Sequence, residues 1–242
     1  WFLTGMEKHS DEYREDLLGN GEAFIGAMKT HMRSLHMSAL QTAMNELSNH
    51  DHSRFLTRTN HKVGRISYAG AEAASEGVNP AVMREAVAIQ MTWPGAPTVY
   101  YGDEAGLCGF TDPDNRRTYP WGREDYQMID FHRVMIRIHK NYEVLKTGSL
   151  GFLWNDYQGL CYARFSRKEQ MIVIINNQAE SRDVEIQLWQ AGISRLADTK
   201  LKRIVVTSAE GFTEEPEEYT ATAGILKITM PAFGAMVLHH KN

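Results

Sequence analysis

The stretch that decides the fold is GAPTVYYGDE, residues 95–104. Its centre, Pro97 to Tyr101, is a run of β-branched and aromatic residues, and glycines bound it at positions 95 and 102. A run of this kind is typical of a short buried strand. The polar residues that follow, as far as Gly122, predict a loop. The sequence therefore predicts a strand whose C-terminal end runs into a polar and acidic loop.

Helical patterns lie on both sides of this strand. Upstream, Pro80 suits the first turn of a helix that ends before Pro94. Downstream, residues 128–142 place apolar residues at approximate helical spacing. From Gly21 to about Leu47 apolar residues recur at steps of three and four, which predicts one amphipathic helix, and a strand is then predicted to end near Asn49. The first 145 residues thus predict the order helix, strand, helix, strand, helix.

Beyond Gly148 the apolar period changes to two, which predicts strands. The alternation is carried by residues 160–165, 171–175, 184–186, 204–206, 225–228 and 235–238. Short strands separated by Gly, Asn, Asp and Pro turns favour an antiparallel sandwich. We therefore predict a domain boundary near Thr147, with an α/β part at residues 1–147 and an all-β sandwich at residues 148–242.

The amino-acid composition and net charge exclude several classes of function. With 43% hydrophobic and 23% charged residues, the chain has the balance of a soluble globular protein. The net charge of -4 and the absence of any Lys or Arg run exclude nucleic acid as an expected partner. Cys108 and Cys161 lie far apart, which predicts neither a disulfide framework nor a thiolate metal site. No signal peptide and no apolar stretch of about 20 residues is present, so we expect a cytoplasmic protein without a membrane partner.

The first candidate site is NHDHSR, residues 49–54, just past a predicted strand. In proteins that alternate strands and helices, substrate groups converge at the C-terminal ends of strands, which favours a site here. Two alternatives stay open. In one, Asp51 caps a turn and pairs with Arg54, while both histidines are ordinary loop residues. In the other, His50, Asp51 and His52 ligate zinc or iron with further ligands from elsewhere, as in a metal-dependent hydrolase.

The second candidate site follows the strand at residues 97–101. It contains YYGDE at residues 100–104, DPDNRR at residues 112–117 and YPW at residues 119–121. Aromatic faces beside carboxylates, amides and guanidinium groups suit a sugar, which offers hydroxyls at its rim and C–H groups on its face. Such mixtures also occur in ordinary surface loops. The acidic residues would permit calcium binding, but no EF-hand spacing is present, so no cofactor is predicted.

Together the two sites resemble motifs of the α-amylase family of glycoside hydrolases, in its neopullulanase, cyclomaltodextrinase and maltogenic amylase branch. LSNHDHSRFL, residues 47–56, resembles the motif at the end of barrel strand seven. Residues 95–104 resemble strand eight and its exit, and residues 112–117 resemble the loop that follows. From about residue 44 the resemblance covers nearly the whole chain. It implies the C-terminal part of a (β/α)8 TIM barrel followed by an antiparallel β-sandwich.

The resemblance also implies roles for four residues. Asp51 would be the third carboxylate of the family's catalytic set, which binds sugar hydroxyls and stabilises the oxocarbenium-like transition state. It would be neither the nucleophile nor the acid. His50 would hydrogen-bond the same sugar, while Asp112 and Arg116 would contact a neighbouring glucose.

The same resemblance assigns supporting roles nearby. Arg54 is expected to orient its loop. The acidic residues Asp103 and Glu104 are expected to be structural rather than catalytic.

The function implied is that of a retaining glycoside hydrolase acting on α-1,4- and α-1,6-linked glucans such as maltooligosaccharides, cyclodextrins or pullulan. Such an enzyme needs a nucleophile and an acid about 5 to 5.5 Å apart. The family places both after strands four and five, upstream of Trp1. The chain is therefore expected to be a fragment, inactive alone, with the upstream part of the same polypeptide and a glucan as partners. A homodimer also remains open, as does a different class, a non-catalytic carbohydrate-binding or assembly module.

Overall fold

The computed structural model describes every residue from Trp1 to Asn242. Residues 1–147 contain all seven α-helices and one pair of very short strands. The helices are α1 Gly21–Arg33, α2 Met37–Thr42, α3 Phe55–Arg58, α4 Ile66–Ala69, α5 Pro80–Thr92, α6 Tyr126–Asn141 and α7 Glu143–Thr147. Strands β1 Met44–Asn45 and β2 Ala96–Pro97 pair in parallel. None of the helices is long and apolar enough to cross a membrane.

The remaining residues form nine strands in two antiparallel sheets. They are β3 Ser149–Asp156, β4 Gly159–Phe165, β5 Glu169–Asn176, β6 Arg182–Gln187, β7 Thr199–Thr207, β8 Phe212–Thr213, β9 Glu218–Ala221, β10 Ile225–Met230 and β11 Gly234–Lys241. The large sheet has the order β3-β4-β5-β11-β7-β8, and β9 also pairs with β7. Strands β6 and β10 form the small sheet.

Both faces of the large sheet are buried, which explains the unbroken apolar run at residues 171–175. Along β4, Leu160 and Tyr162 face an apolar cluster shared with helices α5, α6 and α7. The alternate residues Cys161 and Ala163 face a second cluster shared with the small sheet. Because side chains on a strand alternate between faces, one strand contributes to both cores. The two cysteines are free thiols.

Helix α5 is the central helix of the first 147 residues. It begins where the side-chain oxygen of Asn79 accepts hydrogen bonds from the backbone N–H groups of Ala81 and Val82, with Pro80 in the first turn. Nearly all of its residues are buried, and these include the polar Arg84, Glu85 and Gln90 as well as the apolar ones. It packs between helix α6 and the large sheet.

A buried cation ties these helices to the sheet. Arg164 of β4 is fully buried, and its Nη1 donates to the carbonyl oxygens of Thr92 and Leu145 at 2.9 and 2.8 Å. Its Nη2 donates to the carbonyl oxygen of Gly148 at 2.9 Å. These carbonyls lie at the C-terminal ends of α5 and α7, where helices carry partial negative charge. Burial lowers the pKa of Arg164 to about 10, so the side chain stays charged at neutral pH.

Three predicted elements differ from the structure. The single helix predicted from Gly21 to about Leu47 is wrong, because α1 ends at Arg33 and the Ser34 hydroxyl donates to the carbonyl oxygen of His31. The strand predicted to end near Asn49 is only Met44–Asn45, because the side chains beyond it bond to the loop backbone instead. The strand predicted at 97–101 is reduced to Ala96–Pro97, with β1 as its one partner.

Candidate active site

The loop at residues 49–54 is shaped by two asparagine side chains. Asn49 Oδ1 accepts hydrogen bonds from the backbone N–H groups of Asp51 and His52, at 2.9 and 3.0 Å. Asn115, which is fully buried, donates Nδ2 to the carbonyl oxygens of Asn49 and His52 at 3.0 and 2.7 Å. The turn is therefore capped by Asn49, and the alternative in which Asp51 caps it is wrong.

The four residues predicted to bind sugar lie together in one exposed group, which we call the open cluster: His50, Asp51, Asp112 and Arg116. Arg116 Nη2 is 2.9 Å from Asp112 Oδ1 and 4.0 Å from Asp51 Oδ1. His50 Nε2 is 3.6 Å from the same Asp51 oxygen, and Arg116 Nε donates to the His50 carbonyl oxygen at 3.0 Å. The Asp51 side chain is 61% exposed. The structure thus brings together residues that lie about sixty positions apart.

A second group of residues lies inside the protein next to the open cluster, and we call it the buried support: Arg54, Asp103 and Asn115. Arg54 is fully buried, and its Nη1 lies 2.9 Å from Asp103 Oδ1. The guanidinium also donates to the carbonyl oxygens of Tyr101 and Asn115, at 2.6 and 2.9 Å. These contacts agree with the prediction that Arg54 orients the loop. The alternative in which Arg54 pairs with Asp51 is wrong.

Within the buried support, the pKa of the Asp103 carboxyl group is higher than that of an ordinary aspartate. Burial raises the pKa of Asp103 to about 6, and the nearby Arg54 guanidinium and Ser48 hydroxyl offset only part of that effect. A carboxyl group taken out of water loses hydration of its charged form, which outweighs the attraction here. Asp103 therefore ionises, and completes the pair with Arg54, as the pH rises through about 6.

The loop after β2 contributes both to the open cluster and to its frame. Asp114 is buried and accepts hydrogen bonds from the backbone N–H of Phe110 and from Arg117 Nε, at 2.8 and 2.9 Å. The hydroxyl of Thr111 donates to the carbonyl oxygen of Asp51. Of the two acidic residues in DPD, only Asp112 therefore has its carboxylate in the open cluster.

His9 is a neighbour of the site that was not predicted. A hydrogen bond of 2.8 Å joins its Nδ1 to Thr111 Oγ1, and the same nitrogen lies 3.2 Å from the carbonyl oxygen of Asp51. Its ring packs edge-on against His52, with centroids 5.1 Å apart. The segment around His9 has no apolar period and no motif, so it carried no signal in the sequence.

The metal-dependent alternative lacks the additional ligands that it needs. His52 packs against His9, and burial lowers the pKa of His52. Nowhere in the chain do three or more His, Cys, Asp or Glu side chains converge in a way that could hold a metal ion. Neither zinc nor iron at His50, Asp51 and His52, nor calcium in the acidic loop, has support from the geometry.

Aromatic side chains add a flat apolar surface to the second candidate site. Trp121 is 79% exposed, and its ring centroid lies 4.5 Å from that of Tyr119. Tyr101 is exposed too, and its hydroxyl donates to the carbonyl oxygen of Arg117 at 2.8 Å. Carboxylates, a guanidinium and aromatic rings are thus all present on the two loops, as the sequence predicted for a sugar site.

Comparisons with known proteins agree with these motifs. The family model described as "Alpha amylase, catalytic domain" matches residues 6–192. The chain is 30% identical over 243 residues to neopullulanase 2 of Thermoactinomyces vulgaris, covering 98% of this chain and 34% of that protein. It is 32% identical over 163 residues to an amylopullulanase of Thermoanaerobacter thermohydrosulfuricus, covering 60% of this chain and 10% of that protein.

Solved structures show the same fold. The debranching enzyme of Nostoc punctiforme in its native form matches with a TM-score of 0.71 at 23% identity, over 98% of this chain and 44% of that chain. A cyclomaltodextrinase matches with a TM-score of 0.69 at 22% identity, over 93% of this chain and 34% of that chain. The predicted fold class, part of a TIM barrel followed by an antiparallel β-sandwich, is confirmed.

The chain spans only about a tenth to a third of the length of the curated relatives named above. The family match nevertheless extends over most of its residues and includes both candidate sites. The chain therefore belongs to the α-amylase catalytic-domain family.

Proposed function

We propose that the chain is part of a retaining glycoside hydrolase that cleaves α-1,4- or α-1,6-linked glucans, with maltooligosaccharides, cyclodextrins and pullulan as candidate substrates. Membership of the α-amylase family supports the reaction class. The names of two relatives, neopullulanase and cyclomaltodextrinase, support this range of substrates. Within the proposed enzyme, residues 1–147 belong to the catalytic barrel and residues 148–242 form the sandwich.

The observation that carries the proposal is the state of the Asp51 carboxylate. Its backbone is fixed by the Asn49 side chain and by the hydroxyl of Thr111, whereas its carboxylate is exposed to solvent. The nearest polar side-chain nitrogens, those of His50 and Arg116, are 3.6 and 4.0 Å away, beyond normal hydrogen-bond distance. A carboxylate with unoccupied oxygens, carried on a fixed backbone, can accept hydrogen bonds from sugar hydroxyls. Its negative charge would stabilise the positive charge that develops on the sugar in the transition state.

The other members of the open cluster suit sugar binding rather than bond cleavage. Arg116 Nη2 lies 2.9 Å from Asp112 Oδ1, and this half-exposed pair offers both hydrogen-bond donors and acceptors to sugar hydroxyls. We assign Asp112 and Arg116 to a neighbouring glucose and His50 to the reacting sugar. The nucleophile and the general acid would then come from sequence upstream of these residues, and residues 1–242 alone would not hydrolyse glucan.

The test is a reducing-sugar assay on cyclodextrin and pullulan with the full-length product of the gene and its Asp51→Asn variant. We expect turnover to fall by about three orders of magnitude, because charge stabilisation of the transition state is lost. Asp130→Asn is the matched control, since Asp130 has nearly the same exposure as Asp51 and lies on α6. Its activity should equal that of the parent.

Each alternative outcome has a clear meaning. Full activity in Asp51→Asn would contradict the assignment of Asp51. Turnover by residues 1–242 alone would show that the nucleophile and the acid lie within this chain. Glucan binding by the full-length product without any turnover would favour a non-catalytic carbohydrate-binding module.

A further inference from the structure

A cavity lies where loops of the first 147 residues meet the end of the large sheet. Its volume is about 230 Å³, and we call it the loop cavity, lined by Thr59, His61, Asn79, Gln158, Asn177 and Phe233 with several aliphatic side chains. It shares no residue with the open cluster. With liquid water occupying about 30 Å³ per molecule, the cavity has room for about seven waters or for one hexose ring.

The oxygen of a buried amide in this cavity lacks a hydrogen-bond donor. Asn177 is only 4% exposed, and its Nδ2 donates to the carbonyl oxygen of Leu3 at 3.1 Å. Its Oδ1 is buried and has no hydrogen-bond partner in the protein. A buried acceptor without a donor is unfavourable, and native proteins leave few of them. The position therefore calls for a bound hydrogen-bond donor, either a water molecule or a hydroxyl group of a ligand.

Further polar groups around the cavity are uncommitted. Asn79 uses its Oδ1 to cap helix α5, which leaves its Nδ2 donors available. The carboxamide of Gln158 and the ring nitrogens of His61 make no hydrogen bond within the protein. Together with Asn177 Oδ1, the lining offers both donors and acceptors, which is the complement of a group of hydroxyls.

The remaining lining is apolar and carries no formal charge. Leu3, Val82 and Phe233 supply apolar surface, and no Lys, Arg, Asp or Glu lines the cavity. Burial lowers the pKa of His61, so its ring is neutral at neutral pH. A neutral lining gives no compensation for the dehydration of an ion, which argues against phosphate or a metal cation as the ligand. A ring with an apolar face and a hydroxyl rim matches it better.

The backbone around the cavity is held in an uncommon conformation. His61, Gln158 and Phe233 have φ values of 59°, 61° and 44°, although none is glycine. Only two other non-glycine residues in the chain have positive φ. Such conformations persist where the surrounding contacts enforce them. The polar groups of the lining are therefore presented by a rigid frame rather than by loose loops.

We propose that the loop cavity binds one neutral hexose ring, either free glucose or the terminal glucosyl unit of a glucan. The ring would satisfy Asn177 Oδ1 and bond to Asn79 and Gln158, with its C–H face on the aliphatic and aromatic lining. This site is separate from the open cluster, and it does not depend on the hydrolytic function proposed above.

The test is saturation-transfer difference NMR of the full-length product with glucose, maltotriose and the acyclic polyol sorbitol. Ala179→Trp blocks the cavity, because Ala179 lines its rim and is exposed. Gln158→Asn shortens the side chain by one methylene group, which moves its amide away from the cavity. Asparagine also tolerates the positive φ at this position. Ala209→Trp, at an exposed alanine outside the cavity, is the matched control. Asp51→Asn combined with Arg116→Met disables the open cluster.

We expect the glucose signal to persist in the Asp51/Arg116 variant and in Ala209→Trp. It should disappear in Ala179→Trp and weaken about fivefold in Gln158→Asn, as for the loss of about one hydrogen bond. Transfer to glucose but not to maltotriose would identify a free hexose, and transfer to the terminal ring of maltotriose would identify a chain end. The proposal is overturned if Ala179→Trp leaves the signal unchanged, or if sorbitol binds as well as glucose, since the cavity would then not select a ring.

Discussion

The open cluster and the buried support each contain an arginine that lies 2.9 Å from an aspartate, but in opposite environments. Arg116 and Asp112 are about half exposed, whereas Arg54 and Asp103 are almost completely buried. An exposed ion pair contributes little to folding because water solvates both charges. A buried pair has lost that hydration, so the removal of one partner leaves a costly unpaired charge. Equal distances thus have different consequences: the buried pair holds the shape of the loop, whereas the exposed pair is the one proposed to bind the ligand.

The largest effect that separates the two regions is expected for Arg54→Met. The variant leaves the buried Asp103 carboxylate without its paired positive charge and removes the donor to the carbonyl oxygens of Tyr101 and Asn115. We expect the free energy of unfolding to fall by about 3–5 kcal/mol at pH 7, measured by urea denaturation. Arg133→Met, at an exposed i,i+3 pair on α6, is the control and should change stability by less than about 0.5 kcal/mol. A loss below about 1 kcal/mol in Arg54→Met would show that the buried pair contributes no more to stability than an exposed pair does.

A smaller effect is expected in the pH dependence of stability. The pKa of Asp103 is about 6 in the folded protein, against about 3.9 for an unfolded aspartate. Between these pH values the folded protein binds more protons, so the stability contributed by Asp103 is full below about pH 4 and is lost as the pH rises through about 6. Relative to Asp103→Asn, the parent should lose about 2 kcal/mol between pH 4 and pH 7. Parallel curves for the two proteins would show that Asp103 does not titrate in this range.

The smallest change is expected on the exposed side, and it should appear in binding rather than in folding. Arg116→Met removes the donors to Asp112 and to the His50 carbonyl oxygen. The free energy of unfolding should change by less than about 1 kcal/mol. The affinity of the full-length product for maltotriose should fall about tenfold, as for the loss of a hydrogen bond to a charged group. Calorimetric titration measures the affinity, and an unchanged value would place the sugar elsewhere.

The contrast also explains what the sequence could predict. The members of the open cluster were predicted from two motifs, and the strands β1 and β2 place those motifs side by side because they pair in parallel. The position of His9 depends instead on the path of an irregular segment, which no local pattern encodes. The role of Asn115 was equally hidden, because its side chain bonds to backbone carbonyls sixty residues away and an asparagine in a loop usually bonds locally.

The elements of the fold were likewise predicted where the apolar pattern is strong and missed where it is weak. Strands β4, β5 and β11 were predicted because their apolar runs are long and buried. Strand β3 was missed since it lies at the edge of the large sheet, where none of its residues is fully buried and the apolar pattern is weak. The break at Ser34 was missed because the apolar spacing continues across it, although the Ser34 side chain bonds to the last turn of α1 and helps to end it.

The contacts of Arg164 have a consequence for engineering. A sandwich transplanted from a distant relative would fit these helices only if it brought a cation at the same point of its second strand, because the carbonyls of Thr92, Leu145 and Gly148 would otherwise lose their donor. Conversely, residues 148–242 excised on their own would expose an apolar sheet face and leave a guanidinium without the acceptors of the two helices. The sandwich is therefore not an interchangeable module: it has to be moved together with the helix ends that it holds.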